Sequence, residues 1–252
     1  MKASTWVQLP TLSHVTMLDT GFDHSLALKD DGTVWAWGIN ERGNPKSMYQ
    51  TIPLQVPGLY NVTTLAAGSS HSIALKDDGS VWSWGDDYNG ELGNGSNKKN
   101  ASSPLQILEL FDITNLSTES SSSHNLVIKG DKTLWAWGLN QSGQLGDGTT
   151  TDKLSPVLLN DLSHFSQIAT GSDHSVALKE DGSVWAWGFN SSGQLGDGTR
   201  INKSGPVEVN GLTHITRVVA GTAYSLALKD DGTVWEWGKN LFRKYDNINH
   251  YP

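Results

Sequence analysis

Short stretches of β-forming residues alternate along this chain with turn-forming residues. Two of them, Ser25 to Lys29 and Thr33 to Trp37, flank the dipeptide Asp31-Gly32. Asp-Gly between two such runs predicts a β-hairpin with a type I′ turn, because that turn needs positive φ at both central residues. No window shows a sustained 3.6-residue periodicity, so we expect little or no α-helix.

A turn at Asp31-Gly32 also predicts which side chains share a face of the hairpin. The expected cross-strand pairs are Lys29 with Val34, Leu28 with Trp35, Ala27 with Ala36, and Leu26 with Trp37. One face would then be bulky and carry both tryptophans, and the other would be small. Such a sheet is suited to stacking against a copy of itself, which buries a core that a single unit cannot bury.

The hairpin segment occurs five times, and the copies start 47 to 53 residues apart. We define the repeat hairpins as residues 21–38, 68–85, 121–138, 171–188 and 221–238. Ten of the 11 tryptophans fall in them as pairs, and we assign these to packing between repeats: Trp35 and Trp37, Trp82 and Trp84, Trp135 and Trp137, Trp185 and Trp187, and Trp235 and Trp237. The excess of tryptophan therefore indicates a structural role.

A second half-unit follows each of the first four hairpins and adds two more extended runs. Its copies begin at Pro53, Pro104 and Pro156 and at Pro206, and Trp6 to Gly21 supplies a fifth at the start of the chain. About four strands per repeat of this length are typical of a propeller blade. We predict an all-β protein, a single β-propeller domain over residues 1–252, with five four-stranded blades and with N- and C-terminal strands closing one blade.

Composition excludes several classes of protein. There are 18 basic and 26 acidic residues, a formal net charge of −8, which argues against nucleic-acid binding through phosphate contacts. The absence of cysteine excludes disulfides, thiolate metal sites and a cysteine nucleophile. No signal peptide and no apolar run of membrane-spanning length is evident, so we expect no membrane contact. The compartment stays open between a bacterial surface or secreted location and the cytoplasm.

Two motifs resemble the regulator of chromosome condensation repeat family. They are Gly-x-x-His-Ser-x-Ala-Leu-Lys-x-Asp-Gly-x-Val-Trp-x-Trp-Gly and Gly-Gln-Leu-Gly-Asp-Gly-Thr, the latter at Gly143–Thr149 and Gly193–Thr199. The regularity of the repeats is more similar to bacterial members than to nuclear ones. The resemblance implies a β-propeller whose terminal strands share one blade. Because the usual family count is seven blades, the five repeats form either a closed ring or part of a larger propeller.

The resemblance also implies several functions. Members of the family act as exchange factors for small GTPases, as chromatin binders, or as inhibitors of secreted enzymes such as β-lactamases. Chromatin-binding members use basic surfaces, and this chain has no basic run longer than Lys98-Lys99. Exchange activity in the family depends on a specialised insertion, and no blade has an obvious one.

Histidines form two columns in the repeat. The first contains His24, His71, His124 and His174, with Tyr224 in the fifth repeat, and the second contains His14, His164 and His214, with Asn61 and Asp112. A ring of imidazoles is one way to bind a metal or an anion. We interpret these residues as structural, because a ring nitrogen at a strand start satisfies polar groups of its own or the next blade.

The third repeat is the most degenerate. Ser121 to His124 replaces Gly-x-x-His of the other repeats, which we interpret as sequence drift and not as a nucleophile with its base. Lys132 stands where the others have glycine, so we expect a weaker blade with a different turn. We predict no catalytic residues, no metal site and no cofactor.

The copies disagree most in the loop after Trp-x-Trp-Gly. Equivalent loops emerge on the same end of a propeller, and rigid scaffolds commonly carry function on loops. Aromatic and arginine side chains there are typical of binding hot spots. The predicted partner-binding residues are Ile39, Glu41, Arg42, Asp86, Tyr88, Leu139, Gln141, Phe189, Leu241, Phe242 and Arg243.

These observations favour a non-enzymatic, monomeric scaffold that binds another protein, of unknown identity, through the loops on one end. Three alternatives stay open. The chain is an inhibitor of a secreted enzyme, a guanine-nucleotide exchange factor for a small GTPase, or an architectural module of a larger surface protein.

Overall fold

Five antiparallel sheets, one per repeat, make up the described part of the protein. The computed structural model describes residues 8–9, 11–38, 50–96, 100–159 and 163–239. Within these ranges the chain forms nineteen β-strands and no helix. In the order of the chain, the sheets are called blades 1 to 5.

Blades 1 to 4 each contain four strands in sequential order, and blade 5 contains three. Blade 1 consists of β1 (Val15–Thr20), β2 (His24–Lys29), β3 (Val34–Gly38) and β4 (Gln50–Gln55). Blade 2 consists of β5 (Val62–Ala67), β6 (His71–Lys76), β7 (Val81–Gly85) and β8 (Ala101–Gln106). Blade 3 consists of β9 (Ile113–Ser117), β10 (His124–Lys129), β11 (Leu134–Gly138) and β12 (Lys153–Leu158). Blade 4 consists of β13 (Phe165–Thr170), β14 (His174–Lys179), β15 (Val184–Gly188) and β16 (Lys203–Glu208), and blade 5 of β17 (Ile215–Ala220), β18 (Tyr224–Lys229) and β19 (Val234–Gly238).

The predicted hairpins form, but their turns are one residue longer than predicted. In blade 1 the N–H of Lys29 donates to the carbonyl of Thr33 over 3.0 Å, which closes a three-residue loop over Asp30, Asp31 and Gly32. Only Gly32 in this loop has a positive φ, of 74°. The type I′ prediction is wrong because a three-residue hairpin loop also places glycine in the left-handed region, after Asp31.

The longer loop shifts the register by one residue and changes the faces. Leu26 pairs with Ala36 and Leu28 with Val34, whereas Ala27 pairs with Trp35 and Ser25 with Trp37. The prediction that the tryptophans share a face with Leu26 and Leu28 is therefore wrong. Leucines and tryptophans lie on opposite faces, so that the leucine face of one blade meets the tryptophan face of the next.

The core consists of four clusters, one at each junction between neighbouring blades. At the junction of blades 4 and 5, for example, Val184 and Ala186 pack with Val218, Ala227 and Trp237. Trp84, Trp137 and Trp187 occupy this position at the first three junctions and are fully buried. Each buries about 150–250 Å². The first tryptophan of each pair is less buried and lies under a lysine: the Nζ of Lys179 is 4.4 Å from the ring centroid of Trp185.

The second histidine column has a backbone explanation. His14, Asn61, Asp112, His164 and His214 all have φ between 56° and 65°. Asn, Asp and His are the residues other than glycine that tolerate this left-handed region best. The carbonyl of each of these residues accepts a hydrogen bond from the turn between the second and third strands of its blade. In blade 1, for example, the N–H of Asp30 donates to His14 O at 2.9 Å.

Blade 3 keeps the common turn despite Lys132. Its φ is 67°, and the N–H of Lys129 donates to Thr133 O over 3.0 Å as in the other blades. The expected different turn is therefore wrong. Blade 3 differs instead at its β9–β10 turn, which spans residues 118–123, whereas the corresponding turn of blade 2 spans residues 68–70.

The fourth strand of blade 5 is not found among the described residues. The prediction that N- and C-terminal strands close one blade involves residues 1–7 and 240–252, which lie outside the described ranges, and it stays a prediction. No helix in the described part of the chain has the length and apolar character needed to span a membrane.

Candidate functional site

The described loops after a third strand lie on one end of the blades, together with the turns between the first and second strands of each blade. We call this end the loop end; the described parts of it are residues 21–23, 68–70, 86–96, 118–123, 139–152, 171–173, 189–202 and 221–223. The opposite end, the turn end, carries the turns between the second and third strands of each blade and the connections from one blade to the next. Five of the predicted partner-binding residues belong to these described loop-end segments: Asp86, Tyr88, Leu139, Gln141 and Phe189.

Each described loop is organised around one buried polar residue. In blade 3 the side-chain Nδ2 of Asn140 donates to Asp147 Oδ1 at 3.1 Å, and its Oδ1 accepts from the N–H of Leu145 at 3.0 Å. Asn190 makes the same bonds to Asp197 and Leu195 in blade 4. These bonds fix the loops without regular secondary structure.

Blade 2 builds the same loop with a carboxylate. Asp87 replaces the asparagine, and it accepts from the N–H of Leu92 at 3.1 Å and from Asn94 Nδ2 at 3.3 Å. Burial raises the pKa of Asp87, and the neighbouring Glu91 raises it further. The N–H and Nδ2 of Asn89 both donate to Glu91, at 2.7 Å each.

An ion pair fastens the loops of blades 3 and 4 to the fourth strand. Lys153 Nζ lies 2.9 Å from Asp147 Oδ2, and Lys203 Nζ lies 3.4 Å from Asp197 Oδ2. Burial acts to raise the pKa of Asp147, but hydrogen bonds from Lys153 and Thr149 outweigh it, so the pKa lies below its usual value. Both loops are therefore held to the fourth strand by the ion pair and at their centre by the buried asparagine.

The loops of blades 3 and 4 are also inserted into the core of the junction with the next blade, through Leu145 and Leu195. Leu92, Leu145 and Leu195 are fully buried. The indole Nε1 of Trp187 in blade 4 donates to Gln144 O of the blade 3 loop at 2.8 Å, and Trp137 does the same to Glu91 O at 2.9 Å. Each loop thus depends on the blade that follows it.

The first histidine column joins neighbouring blades beneath the loops. His124 Nε2 lies 2.9 Å from Ser175 Oγ of blade 4, and Ser175 Oγ donates to Gln144 O of the blade 3 loop at 2.7 Å. Burial lowers the pKa of His124 to about 3, with the neighbouring histidines contributing. Burial likewise lowers the pKa of His174 to about 4. These histidines are neutral at neutral pH and contact protein groups.

The Ser121–His124 run forms a buried structural turn. Ser122 Oγ lies 2.9 Å from His124 Nδ1, but Ser122 and His124 are fully buried, so no substrate reaches them. Among the residues with described positions, no group of three or more His, Asp or Glu side chains is arranged to hold a metal ion.

The predicted binding residues differ in exposure. Tyr88 is 71% exposed and Gln141 is exposed, whereas Leu139, Phe189 and Asp86 are partly buried. The remaining six lie outside the described residues: Ile39, Glu41, Arg42, Leu241, Phe242 and Arg243. Among the described residues, the predicted binding positions form no continuous exposed apolar surface, and Tyr88 is the exposed aromatic residue among them.

Exposed apolar residues that the sequence did not single out occur on both ends. Phe22 and Ile201 are 79% and 66% exposed on the loop end. Tyr60, Leu108 and Phe111 are 54%, 79% and 63% exposed at the connections on the turn end. Phe22 stands where most other repeats have serine or threonine, a difference between copies that would have identified it.

The comparisons with known proteins agree with this architecture. The family model described as RCC1-like domain matches residues 3–247. Human WBSCR16 is 26% identical with a TM-score of 0.79, covering 90% of this chain and 62% of that chain. Yeast RCC1 (Prp20), in a structure with Kap60, is 25% identical with a TM-score of 0.77, covering 89% of this chain and 56% of that one.

A shorter match connects the chain to human Protein RCC2. The two are 44% identical over 45 residues, 18% of this chain and 9% of RCC2. The chain thus spans about three fifths of the length of WBSCR16 and Prp20. Its match to RCC2 covers 9% of that protein.

Proposed function

Because the chain belongs to the RCC1-like domain family, we propose that it is a non-enzymatic scaffold that binds another protein through its loop end. The structural relatives support protein binding as the general activity: one structure shows yeast Prp20 bound to Kap60, and another is reported with binding of Prp20 to Gsp1p and histones. Kap60, Gsp1p and histones are partners of Prp20.

The observation that carries the proposal is the exposure of Tyr88 on an ordered loop. It is 71% exposed between Asp87 and Asn89, both of which are held by hydrogen bonds. An exposed tyrosine on a pre-ordered loop loses little conformational entropy when a partner covers it. Tyrosine is also among the residues enriched at binding hot spots. Tyr88 is therefore the proposed centre of the interface.

A pair of tyrosines tests the proposal with a matched control. Tyr88 lies on the loop end and Tyr60 on the turn end, and both are exposed. Once a partner has been isolated with the wild-type chain, Tyr88→Ala is expected to weaken its binding by about 2 kcal/mol or more, and Tyr60→Ala by less than about 0.5 kcal/mol. Isothermal titration calorimetry measures both. Equal losses, or a larger loss for Tyr60→Ala, would contradict the loop-end interface.

Nucleotide exchange on a small GTPase is the second candidate, favoured by the reported binding of Prp20 to Gsp1p. A fluorescent-nucleotide release assay on a panel of small GTPases tests it directly. Acceleration of release that is lost in Tyr88→Ala would assign exchange activity to the loop end. Release at the intrinsic rate throughout the panel would leave binding without exchange.

A further inference from the structure

The connection from blade 2 to blade 3 exposes two large apolar side chains on the turn end. Leu108 and Phe111 are exposed, whereas Ile107 and Leu110 of the same connection are buried in the core. The N–H of Leu110 donates to Ile107 O at 3.1 Å and closes a tight turn between them. The exposed side chains are therefore carried by a backbone that its buried neighbours hold in place.

This apolar pair is specific to the connection before blade 3. The residues at the place of Leu108 in the other repeats are Pro10, Pro57, Asn160 and Asn210, and those at the place of Phe111 are Ser13, Tyr60, Ser163 and Thr213. The ring of Phe111 is also fixed, because Nζ of the buried Lys129 lies 3.7 Å from its centroid. The repeat fold does not require the pair, since four other connections form without it.

Carboxylates line a groove next to the apolar pair. The groove has a volume of about 510 Å³, and the exposed side chains of Asp77, Asp78 and Asp112 belong to its lining. It lies where the turn of blade 2 meets the start of β9: the N–H of Ile113 donates to Gly79 O at 3.2 Å. Asp112 directly follows Phe111, so the groove and the apolar pair adjoin. Tyr60 does not line this groove.

The three carboxylates have no ion-pair partner within 4 Å in the part of the chain that the structure describes. A hydrogen bond from the side chain of Ser80 lowers the pKa of Asp78, which is therefore ionised at neutral pH. The nearby lysines lie against aromatic rings: Lys76 Nζ is 5.5 Å from the ring centroid of Trp82, and Lys129 lies at Phe111. The groove is consequently negative and has an apolar border.

A groove of this kind favours a cationic occupant that also has apolar side chains. The phosphates of a nucleic acid or of an anionic lipid surface would be repelled. A second copy of this chain would be repelled as well, because it has a net charge of −8 and the same acidic turns. Lys and Arg suit the site, since their stems cover apolar surface while their charged groups reach carboxylates.

We propose that this groove and the apolar pair bind a segment of a partner polypeptide in which Lys or Arg alternates with large apolar residues. An apolar side chain covers Leu108 and Phe111, and the basic side chains lie against the three carboxylates. Burial of the apolar pair supplies affinity, and the charges supply selectivity. The surface lies on the end opposite Tyr88, so its occupant is separate from the partner of the proposed loop-end interface.

Three labelled synthetic peptides serve as probes. The first has the sequence Gly-Arg-Leu-Lys-Phe-Arg-Gly. The second has serine in place of leucine and phenylalanine, and the third has glutamate in place of arginine and lysine. Fluorescence anisotropy with the full chain is expected to show saturable binding of the first peptide, about tenfold weaker binding of the second, and none of the third.

A double variant of the chain tests the apolar half of the site. Leu108→Asn with Phe111→Ser introduces residues found at these places in other connections. It is expected to weaken binding of the first peptide by about tenfold. Phe22→Ser is the control, because it removes an exposed aromatic side chain from the loop end, and it is expected to leave the affinity unchanged.

A second double variant tests the charged half. Asp77→Asn with Asp112→Asn keeps the side-chain shapes, and asparagine tolerates the left-handed backbone at residue 112. Binding of the first peptide is expected to weaken about fivefold. Asp30→Asn with Asp230→Asn removes the same charge from the turns of blades 1 and 5, and less than about a twofold effect is expected because salt screens distant charges.

Three results would overturn the proposal. They are an absence of saturable binding by the first peptide, an affinity that the Leu108 and Phe111 substitutions leave unchanged, and equal losses in the two asparagine double variants. The last result would show general attraction to an acidic protein. Thermal unfolding verifies that the variants fold, and melting temperatures close to the wild type are expected because the substituted side chains are exposed.

Discussion

The loop end and the turn end connect the same strands by opposite means. Each turn is short and closed largely by its own residues, as where Asp131 Oδ1 accepts the N–H of Thr133 at 3.0 Å. Each described loop is long, built around a buried Asn or Asp, and anchored by a leucine in the core of the junction. The difference shows that the variable loops are part of the folded core and present their exposed residues from fixed positions.

Glycine substitutions in one loop give the largest contrast. The φ of Gly146 is 80° and that of Gly148 is 83°, but a Cβ on Gly146 would lie 2.7 Å from Trp187 Nε1, whereas one on Gly148 meets nothing within 4 Å. Gly148→Ala is expected to cost about 1–2 kcal/mol for the left-handed backbone. Gly146→Ala is expected to cost about 3 kcal/mol or more because Trp187 must move as well. Urea unfolding measures both, and equal losses would contradict insertion of the loop.

Removal of the loop's central side chain has the next largest effect. Asn140→Ala is expected to destabilise the protein by about 2 kcal/mol, because the N–H of Leu145 and Asp147 lose a buried partner. Asp131→Ala on the turn end is the control, and it removes an exposed bond worth about 0.5–1 kcal/mol. Chemical denaturation of both variants tests whether loops contribute more to stability than turns, and the reverse order would contradict it.

Acid is expected to loosen the junctions beneath the loops. The pKa of His124 is lowered to about 3 in the folded protein, from 6.5 in the unfolded chain. The unfolded state therefore binds more protons below pH 6.5, so stability is complete above that pH and falls as the pH drops toward 3. Each pH unit in this window removes up to about 1.4 kcal/mol per histidine. His124→Gln is expected to reduce that slope in unfolding experiments between pH 7 and 4.5, and an unchanged slope would contradict it.

A turn-end substitution is expected to give the smallest effect, with opposite sign. Lys132 has a φ of 67° where the other turns have glycine. Lys132→Gly relieves that strain, but it also loses an exposed ion pair with Glu180 at 3.4 Å and raises the entropy of the unfolded chain. The free energy of unfolding is expected to increase by about 0.5 kcal/mol, as measured by thermal unfolding. A loss would show that the turn of blade 3 depends on Lys132.

The repeat period and the hairpins were predictable because they depend on local residues. Asp-Gly between β-forming runs marks each turn, but it does not distinguish a two-residue loop from a three-residue one. The deciding signal was Asp31-x-Thr33, since Asp31 Oδ1 accepts from the N–H of Thr33 at 3.0 Å. The one-residue error in the predicted register placed the tryptophans on the wrong face of the hairpin.

The binding surface was less predictable than the fold. Disagreement between repeats identifies the variable loops, but exposure depends on packing between blades that no local pattern records. Tyr88 is exposed, whereas Phe189 at a neighbouring loop position is partly buried.

Site-specific photo-crosslinking tests the central claim most directly. A photoreactive phenylalanine analogue is placed at position 88 in one variant and at position 60 in the other, and both are irradiated with the isolated partner. The loop-end interface predicts a covalent adduct from position 88 and none from position 60. An adduct from position 60 alone would assign the interface to the turn end and contradict the account.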